Sequence, residues 1–544
     1  MNWQTCSTNR KFLSLYSLVI MLLLASGMLR LWLSFQMQVM NVDAIGLVDH
    51  IGSFYQGITL AEYLQTLPGY WPPLYPVFCL LIDMFFNDIE LSGKLVSILS
   101  GTGLVLILFL LAQKLYGNSV ALIATCLVVY FPVMIYYSTF TTCEMTYLFF
   151  LFLSLLFFVK WVAHPKIAFA ALMGFSASAA YLARSEGILL LFQLVFMGLL
   201  VALYKKRKEK VRIRPYVFGL IACLFAFVLL ASPYLLYLKQ EVGGWAISRG
   251  GGYAFALTKE NVETKVWSLS DDKKRVRGFF DENYRKLSLL KVIKNNPEQI
   301  LRKWTSNFNY LISDILPKLF VNKYVLTILM VMILAVLIWK REQMHKHLLL
   351  VFMLSPILIT PLYVTELRTQ LYIIPVVLIL ASVFMVSLVD IVMQRFAGQV
   401  AIPYNASMAV VCVVLTCSTF LYYRLLEPKF AEKGRYGLEQ KEAGLWLKKN
   451  RFPRGKVMAR KPWAAYYSGN HILPLPLASY QDTIYYAIKN NAGYLIIDDL
   501  LTTLMRPSVA FLLHGSSNDV KLIYDNGKEV GHQVRVFSFI YPKS

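Results

Sequence analysis

Apolar residues fill this chain in long runs, separated by short polar breaks. A helix needs roughly 17 or more such residues to cross a bilayer. Eleven runs meet that length, near residues 12–34, 94–113, 118–137, 144–162, 167–183, 186–204, 215–238, 320–339, 347–364, 369–390 and 406–424. The stretch from Pro72 to Phe86 is shorter, at about 15 residues, and sits at the lower edge of what can span. It is read as a helix on the membrane surface, within a first external loop over about 36–92. A second external stretch, about 239–319, opens on Gly243-Gly244 and Gly250-Gly-Gly252, and helices within 282–304 suit the interface.

Beyond the last run the pattern changes to one of alternating short elements. Glu439 to Asn450 reads as a helix, Lys456 to Ala459 as a strand, Ser479 to Asn491 as a helix and Tyr494 to Asp498 as a buried strand, with 520–526 and 532–540 as a strand pair. The expected fold class is therefore a polytopic α-helical membrane protein with a C-terminal extracytoplasmic α/β domain. The expected division is 1–428 for the transmembrane part and 429–544 for the tail. Trp463, Tyr466 and Tyr467 read as core of that tail rather than as a sugar platform.

Composition supports the membrane reading, because 57% hydrophobic and only 16% charged residues over 544 exceed what a soluble core requires. The first run, from about Phe12 to Phe35, is too long for a signal-peptide core and reads as a retained helix. The net charge of +23 lies in short loops rather than on one soluble face, which argues for topology and against nucleic acid. With Arg10 and Lys11 in the cytoplasm, Lys114, the Lys160–Lys166 turn, the Lys205–Lys210 cluster, Lys340–Lys346 and Arg395 all fall on the same side. The seven Cys show neither a disulfide framework nor a zinc spacing.

The same parity collects acids and arginines on the outer face. Asp43 lies in Asn41-Val-Asp-Ala-Ile-Gly-Leu-Val-Asp-His50. Tyr137, Ser138 and Glu144 belong to the Tyr136–Glu144 connection, Arg184 and Glu186 to Ala183-Arg-Ser-Glu-Gly187, and Glu366 and Arg368 to Thr365–Gln370. Arginines grip phosphate bidentately, and a carboxylate can take the proton of an attacking hydroxyl or amine. The Arg184/Glu186 and Glu366/Arg368 pairs read equally as ion pairs tying helices together, and Asp43 also reads as ordinary loop polarity. Asp49 and His50 are favoured as wet loop, with assistance to catalysis the other reading. Such a cluster also suits a transporter or flippase of an isoprenoid-linked substrate. Polarity at helix ends rather than mid-membrane favours an enzyme.

The sequence resembles the C-type (GT-C fold) integral-membrane glycosyltransferases of family 39, the class of dolichyl-phosphate-mannose protein mannosyltransferases and bacterial aminoarabinose transferases. The resemblance rests on Asn-Val-Asp43-Ala, Trp71-Pro-Pro-Leu-Tyr-Pro76, Tyr-Tyr-Ser138 with Glu144, Tyr-Leu-Ala-Arg184-Ser-Glu186-Gly, and Glu366-Leu-Arg368 leading into Ile374-Pro375. In the tail it rests on Glu442–Asn450, Lys461–Gly469 and Tyr494–Asp498. One departure is Ser185, where the family commonly carries Pro after the arginine.

What the resemblance implies is inverting transfer of a sugar from a polyprenyl-phosphate donor to a lipid, glycan or protein acceptor, at the outer face of the cytoplasmic (inner) membrane. Asp43 would be the base. Glu144, Arg184, Glu186, Glu366, Arg368, Tyr137, Ser138 and His50 are the candidate substrate-binding residues. An Asp43/Glu144 pair offers oxygens to a divalent ion, but the branches resembled imply no cofactor and no metal. The expected partners are the lipid-linked donor, the acceptor and membrane lipids, with no nucleic acid.

Overall fold

The structure is a computed structural model. It describes residues 3–48, 72–248, 264, 267–277, 294–295, 297–363, 365–396, 404–450, 452–453, 455–527 and 532–541. Contacts divide the chain into two units. One comprises residues 1–35, 69–248 and 297–430, and the other residues 36–68, 249–296 and 431–544. The tail therefore begins two residues beyond the expected division, and the segments 36–68 and 249–296 group with it.

The first unit is helical, and the eleven expected runs fall on its helices. Among the described residues, seven helices are long and apolar enough to cross a membrane, or ten if each of three bent pairs counts as one span. Ile167–Ala183, with 17 residues, is the shorter apolar helix completing the set. Along Arg214–Val242 the side chains of Phe218, Ile221, Phe225, Val228 and Leu229 are all more than half exposed. An apolar stripe of that extent is stable against lipid rather than water. Carboxylates open the helices Ile89–Tyr116 and Glu144–Ala163 at Glu90 and Glu144, and lysines close them at Lys114 and Lys160. Each charge thus lies at the end of the macrodipole that favours it.

Two runs expected to be continuous are broken, and a third bend falls where the external stretch meets the run expected over 320–339. Asn118–Val129 and Pro132–Ser138 meet at 62°, because Pro132 lacks the N–H the ladder needs and pushes Phe131 into an extended conformation. Arg341–Phe352 and Ser355–Leu362 meet at 46°, in a stretch carrying Pro356 and Pro361. Pro297–Leu319 turns by 95° into Lys323–Trp339. There Val321 takes φ +73°, and the Asn322 side chain caps the new helix through the N–H groups of Tyr324 and Val325. The 13-residue helix Leu74–Phe86 is distinct from the spans, with Tyr75, Cys79 and Asp83 buried and Phe85 exposed.

The second unit holds a five-stranded sheet. Its strands are β1 (Lys456–Ala459), β2 (His471–Pro474), β3 (Ala492–Asp498), β4 (Val520–Asp525) and β5 (Val534–Phe539), in the order β2-β1-β3-β5-β4. β1 runs parallel to β2 and β3, while β5 is antiparallel to β3 and β4. Leu495, Ile497 and Phe537 on one face and Tyr494, Ile496 and Val536 on the other enter separate cores, as a sheet covered on both sides requires. The strand pair expected over 520–540 is present. The short β2 and the helix Trp463–Ser468 add elements that the sequence pattern does not single out.

Candidate active site

In the first unit, three connections bring candidate residues together. The first begins where Pro132–Ser138 ends and turns into the helix opened by Glu144. Ser97 Oγ donates to the Thr142 carbonyl at 2.9 Å, and Thr141 Oγ1 donates to the Glu90 carbonyl at 3.2 Å. The Tyr75 hydroxyl donates to the Gly93 carbonyl at 2.9 Å and lies 3.1 Å from Ser97 Oγ. The tyrosine of Trp71-Pro-Pro-Leu-Tyr75 therefore fixes the helix on which the Glu144 turn rests.

The second connection is Arg184-Ser-Glu-Gly187. Arg184 is extended (φ −150°, ψ 135°), and Ser185–Gly187 forms a 3₁₀ turn closed by the Gly187 N–H donating to the Arg184 carbonyl at 2.9 Å. A Cβ at Gly187 would come within 2.4 Å of the Tyr181 backbone nitrogen, so glycine keeps the turn tight where Pro is missing at Ser185. The third connection is Glu366–Gln370, where Thr369 Oγ1 donates to the Glu366 carbonyl at 2.7 Å. Gln370 is fully buried and donates to Thr360 Oγ1 at 3.0 Å.

Arg184 bridges two of these stretches, donating to Glu144 Oε1 at 2.7 Å and to Glu186 Oε1 at 2.9 Å. The Arg184 and Glu144 side chains are 7% and 3% exposed, so the pair is desolvated. Among the described residues Glu144 Oε2 has no hydrogen-bond partner. Arg368 Nε donates to Glu366 Oε2 at 2.5 Å, with the arginine a quarter exposed. Both guanidinium groups act electrostatically on Glu186 and on Cys143, and Tyr137 lies in the fields of Glu144, Glu366 and Arg368. The stretches thus form one ionic cluster of two arginines and three carboxylates. Arg184 and Arg368 are paired as the tie-bar reading expects, and Arg368 is the more accessible cation. Ser138 is buried with its hydroxyl donating to the Met134 carbonyl at 2.7 Å, as a helix-wall residue does.

Asp43 lies in the second unit, half-buried in the first turn of Val42–Val48, with Asn41 Oδ1 accepting the Asp43 N–H at 2.9 Å as a helix cap. Asp49 and His50 lie outside the described residues. No three His, Cys, Asp or Glu side chains among the described residues are grouped to hold a metal ion. Also in the second unit, burial pushes the Glu439 carboxyl up to about 7, with Asp498 adding repulsion.

Two residues that the sequence pattern does not flag contribute to the first unit. Asn307 Nδ2 donates to the Pro361 and Tyr363 carbonyls at 2.9 and 3.0 Å, holding the stretch that leads to Glu366. Arg30, 1% exposed, donates to the Ser26 carbonyl at 3.1 Å, to Ser26 Oγ, and to the Val129 carbonyl at 3.4 Å at the 62° break. A charge inside the first apolar run is the signal that marks Arg30.

Residues 71–236 match the family described as dolichyl-phosphate-mannose-protein mannosyltransferase. The whole fold resembles the crystal structure of ArnT from Cupriavidus metallidurans bound to undecaprenyl phosphate, with a TM-score of 0.52, 13% identity, and coverage of 95% of this chain and 97% of that one. The chain has the GT-C glycosyltransferase fold. The structure of the archaeal oligosaccharyltransferase AglB from Archaeoglobus fulgidus in complex with an inhibitory peptide and a dolichol-phosphate also matches in fold, with a TM-score of 0.53 and 11% identity. That match covers 91% of this chain and 71% of that one. No curated protein matches in sequence. The GT-C resemblance read from the motifs is therefore borne out at the level of the fold.

Proposed function

We propose that this protein is an inverting glycosyltransferase. It takes a sugar from a polyprenyl-phosphate donor to a lipid, glycan or protein acceptor at the outer face of the cytoplasmic membrane. The observation that carries the reading is the desolvated Arg184–Glu144 pair, joined by the partly exposed Glu186 and with Arg368 in its field, in a GT-C fold. ArnT binding undecaprenyl phosphate and AglB binding a dolichol-phosphate support the donor class. The basic loops, all of one parity, support a cytoplasmic side opposite the acids.

In this reading the acceptor hydroxyl or amine attacks the anomeric carbon while Asp43 takes its proton. The bond from that carbon to the phosphate oxygen breaks, and both electrons leave with the polyprenyl phosphate. Arg368, oriented with Arg184, stabilises the charge on the leaving oxygen, so no strong acid is required. A single displacement inverts the anomeric centre. The reading gives no step to a metal ion.

The bent helix pairs also suit a transporter of an isoprenoid-linked substrate. Mass spectrometry of lipids and surface glycans from cells with the protein, without it, and with Asp43→Asn separates the two. Transfer yields a new sugar mass on an acceptor that vanishes with Asp43→Asn, whereas transport alone yields none.

A further inference from the structure

The chain entering Asp43 is held by the tail. The Gln38 and Val39 N–H groups both donate to the Gly434 carbonyl, at 3.1 and 3.2 Å, and Lys441 Nζ donates to the Gln38 carbonyl at 2.5 Å. At Met40 both faces of the peptide are taken. Its N–H donates to the Tyr467 hydroxyl at 3.0 Å, and its carbonyl accepts from Trp463 Nε1 at 2.9 Å. Asn41 then caps the helix in which Asp43 sits, so no unanchored residue intervenes.

The anchors are themselves fixed. Trp463 is 2% exposed and stands edge-on to Tyr436 with ring centroids 5.5 Å apart. Gly437, at φ +87°, lets the backbone pass under the Trp463 ring, where a Cβ would approach ring atoms to 2.7 Å. Lys441 Nζ stands 4.4 Å from the centroid of the Tyr467 ring. Met37, Val39 and Met40 are buried to 3% exposure or less, so the segment docks by apolar contact as well as by hydrogen bonds.

We infer that Trp463 and Tyr467 are positioning residues for the transfer reaction, and that the C-terminal unit serves catalysis by fixing the backbone that aims Asp43. This rests on the assignment of Asp43 as base. A carboxylate that must meet an acceptor proton loses rate steeply with displacement, by roughly 10²-fold for 1 Å.

The test uses the full chain and the variants Tyr467→Phe, which keeps the ring and deletes one hydrogen bond, and Trp463→Phe, which replaces the indole and its N–H donor with a smaller aromatic ring. Hydrogen exchange over 38–48 should speed up by about fivefold to tenfold, the equivalent of one lost hydrogen bond. With polyprenyl-phosphate sugars extracted from the producing cells as donor, kcat should fall at least tenfold while KM for the donor stays unchanged. A purely structural role would lower the amount of folded protein without splitting kcat from KM. Unchanged exchange overturns the inference, as does faster exchange with full kcat. Asp43→Asn tests the base separately: if it retains transfer, the base assignment falls and the positioning claim with it, even where exchange shows the docking to be real.

Discussion

Arg184 and Glu144 lie 40 positions apart in sequence, yet their side chains meet at 2.7 Å in a pocket of protein that excludes water from both. Neither charge is stable there by itself. Removing one partner of such a pair strands the other at a cost of about 3–5 kcal/mol.

Arg184→Ala should therefore destabilise the helical unit by several kcal/mol, read as loss of detergent-stable protein on heating. Glu144→Gln keeps an oxygen for Arg184 and should preserve the fold. Transfer should nonetheless fall by roughly 10²-fold, the scale of losing one placed polar group in a dry site.

Asp43→Asn should leave expression and membrane insertion intact and lower transfer by roughly 10²–10⁴-fold, the contribution of a general base. Product mass per amount of membrane-inserted protein checks it.

Asn307→Ala releases the Pro361 and Tyr363 carbonyls together. Two lost hydrogen bonds correspond to about 1–3 kcal/mol. Transfer should drop several-fold through movement of Glu366 and Arg368, with donor KM rising, since Arg368 is proposed to bind the donor phosphate.

Glu439 sets a pH dependence for the second unit. Its folded pKa is raised from 4.5 to about 7, so the fold favours the protonated form. That contribution is complete below about pH 4.5 and is lost as pH rises through 7, making the unit less stable at pH 8 than at pH 5. The difference is about 1–3 kcal/mol, and Glu439→Gln should abolish it in thermal melts at the two values.

Hydropathy made the spans legible, because a bilayer imposes a length on every crossing helix. The tail strands at Lys456–Ala459 and Tyr494–Asp498 were legible as apolar runs between breakers. The helix breaks at Pro132 and between Phe352 and Ser355 were not, since a run of apolar residues reads the same whether it is bent or straight. Nor was the attachment of residues 36–40 to Trp463 and Tyr467, which spans more than 420 positions and leaves no periodic trace. Among the candidates, Arg184, Glu144 and Glu186 were found through their common parity. Asn307 was hidden because an amide on an amphipathic helix looks like any other solvated residue.

The second unit is assembled from three stretches of chain, with every described apolar span but the first lying between them in sequence. The clasp of Leu477, whose N–H donates to the Trp267 carbonyl at 2.8 Å, and the grip on Met40 both need residues made after the last span. During synthesis the early pieces must wait for the ribosome to finish the tail. Truncation anywhere past residue 430 thus strands half-made partners on membrane helices already inserted, and quality-control proteases would meet an open Asp43 segment before they met a misfolded bundle.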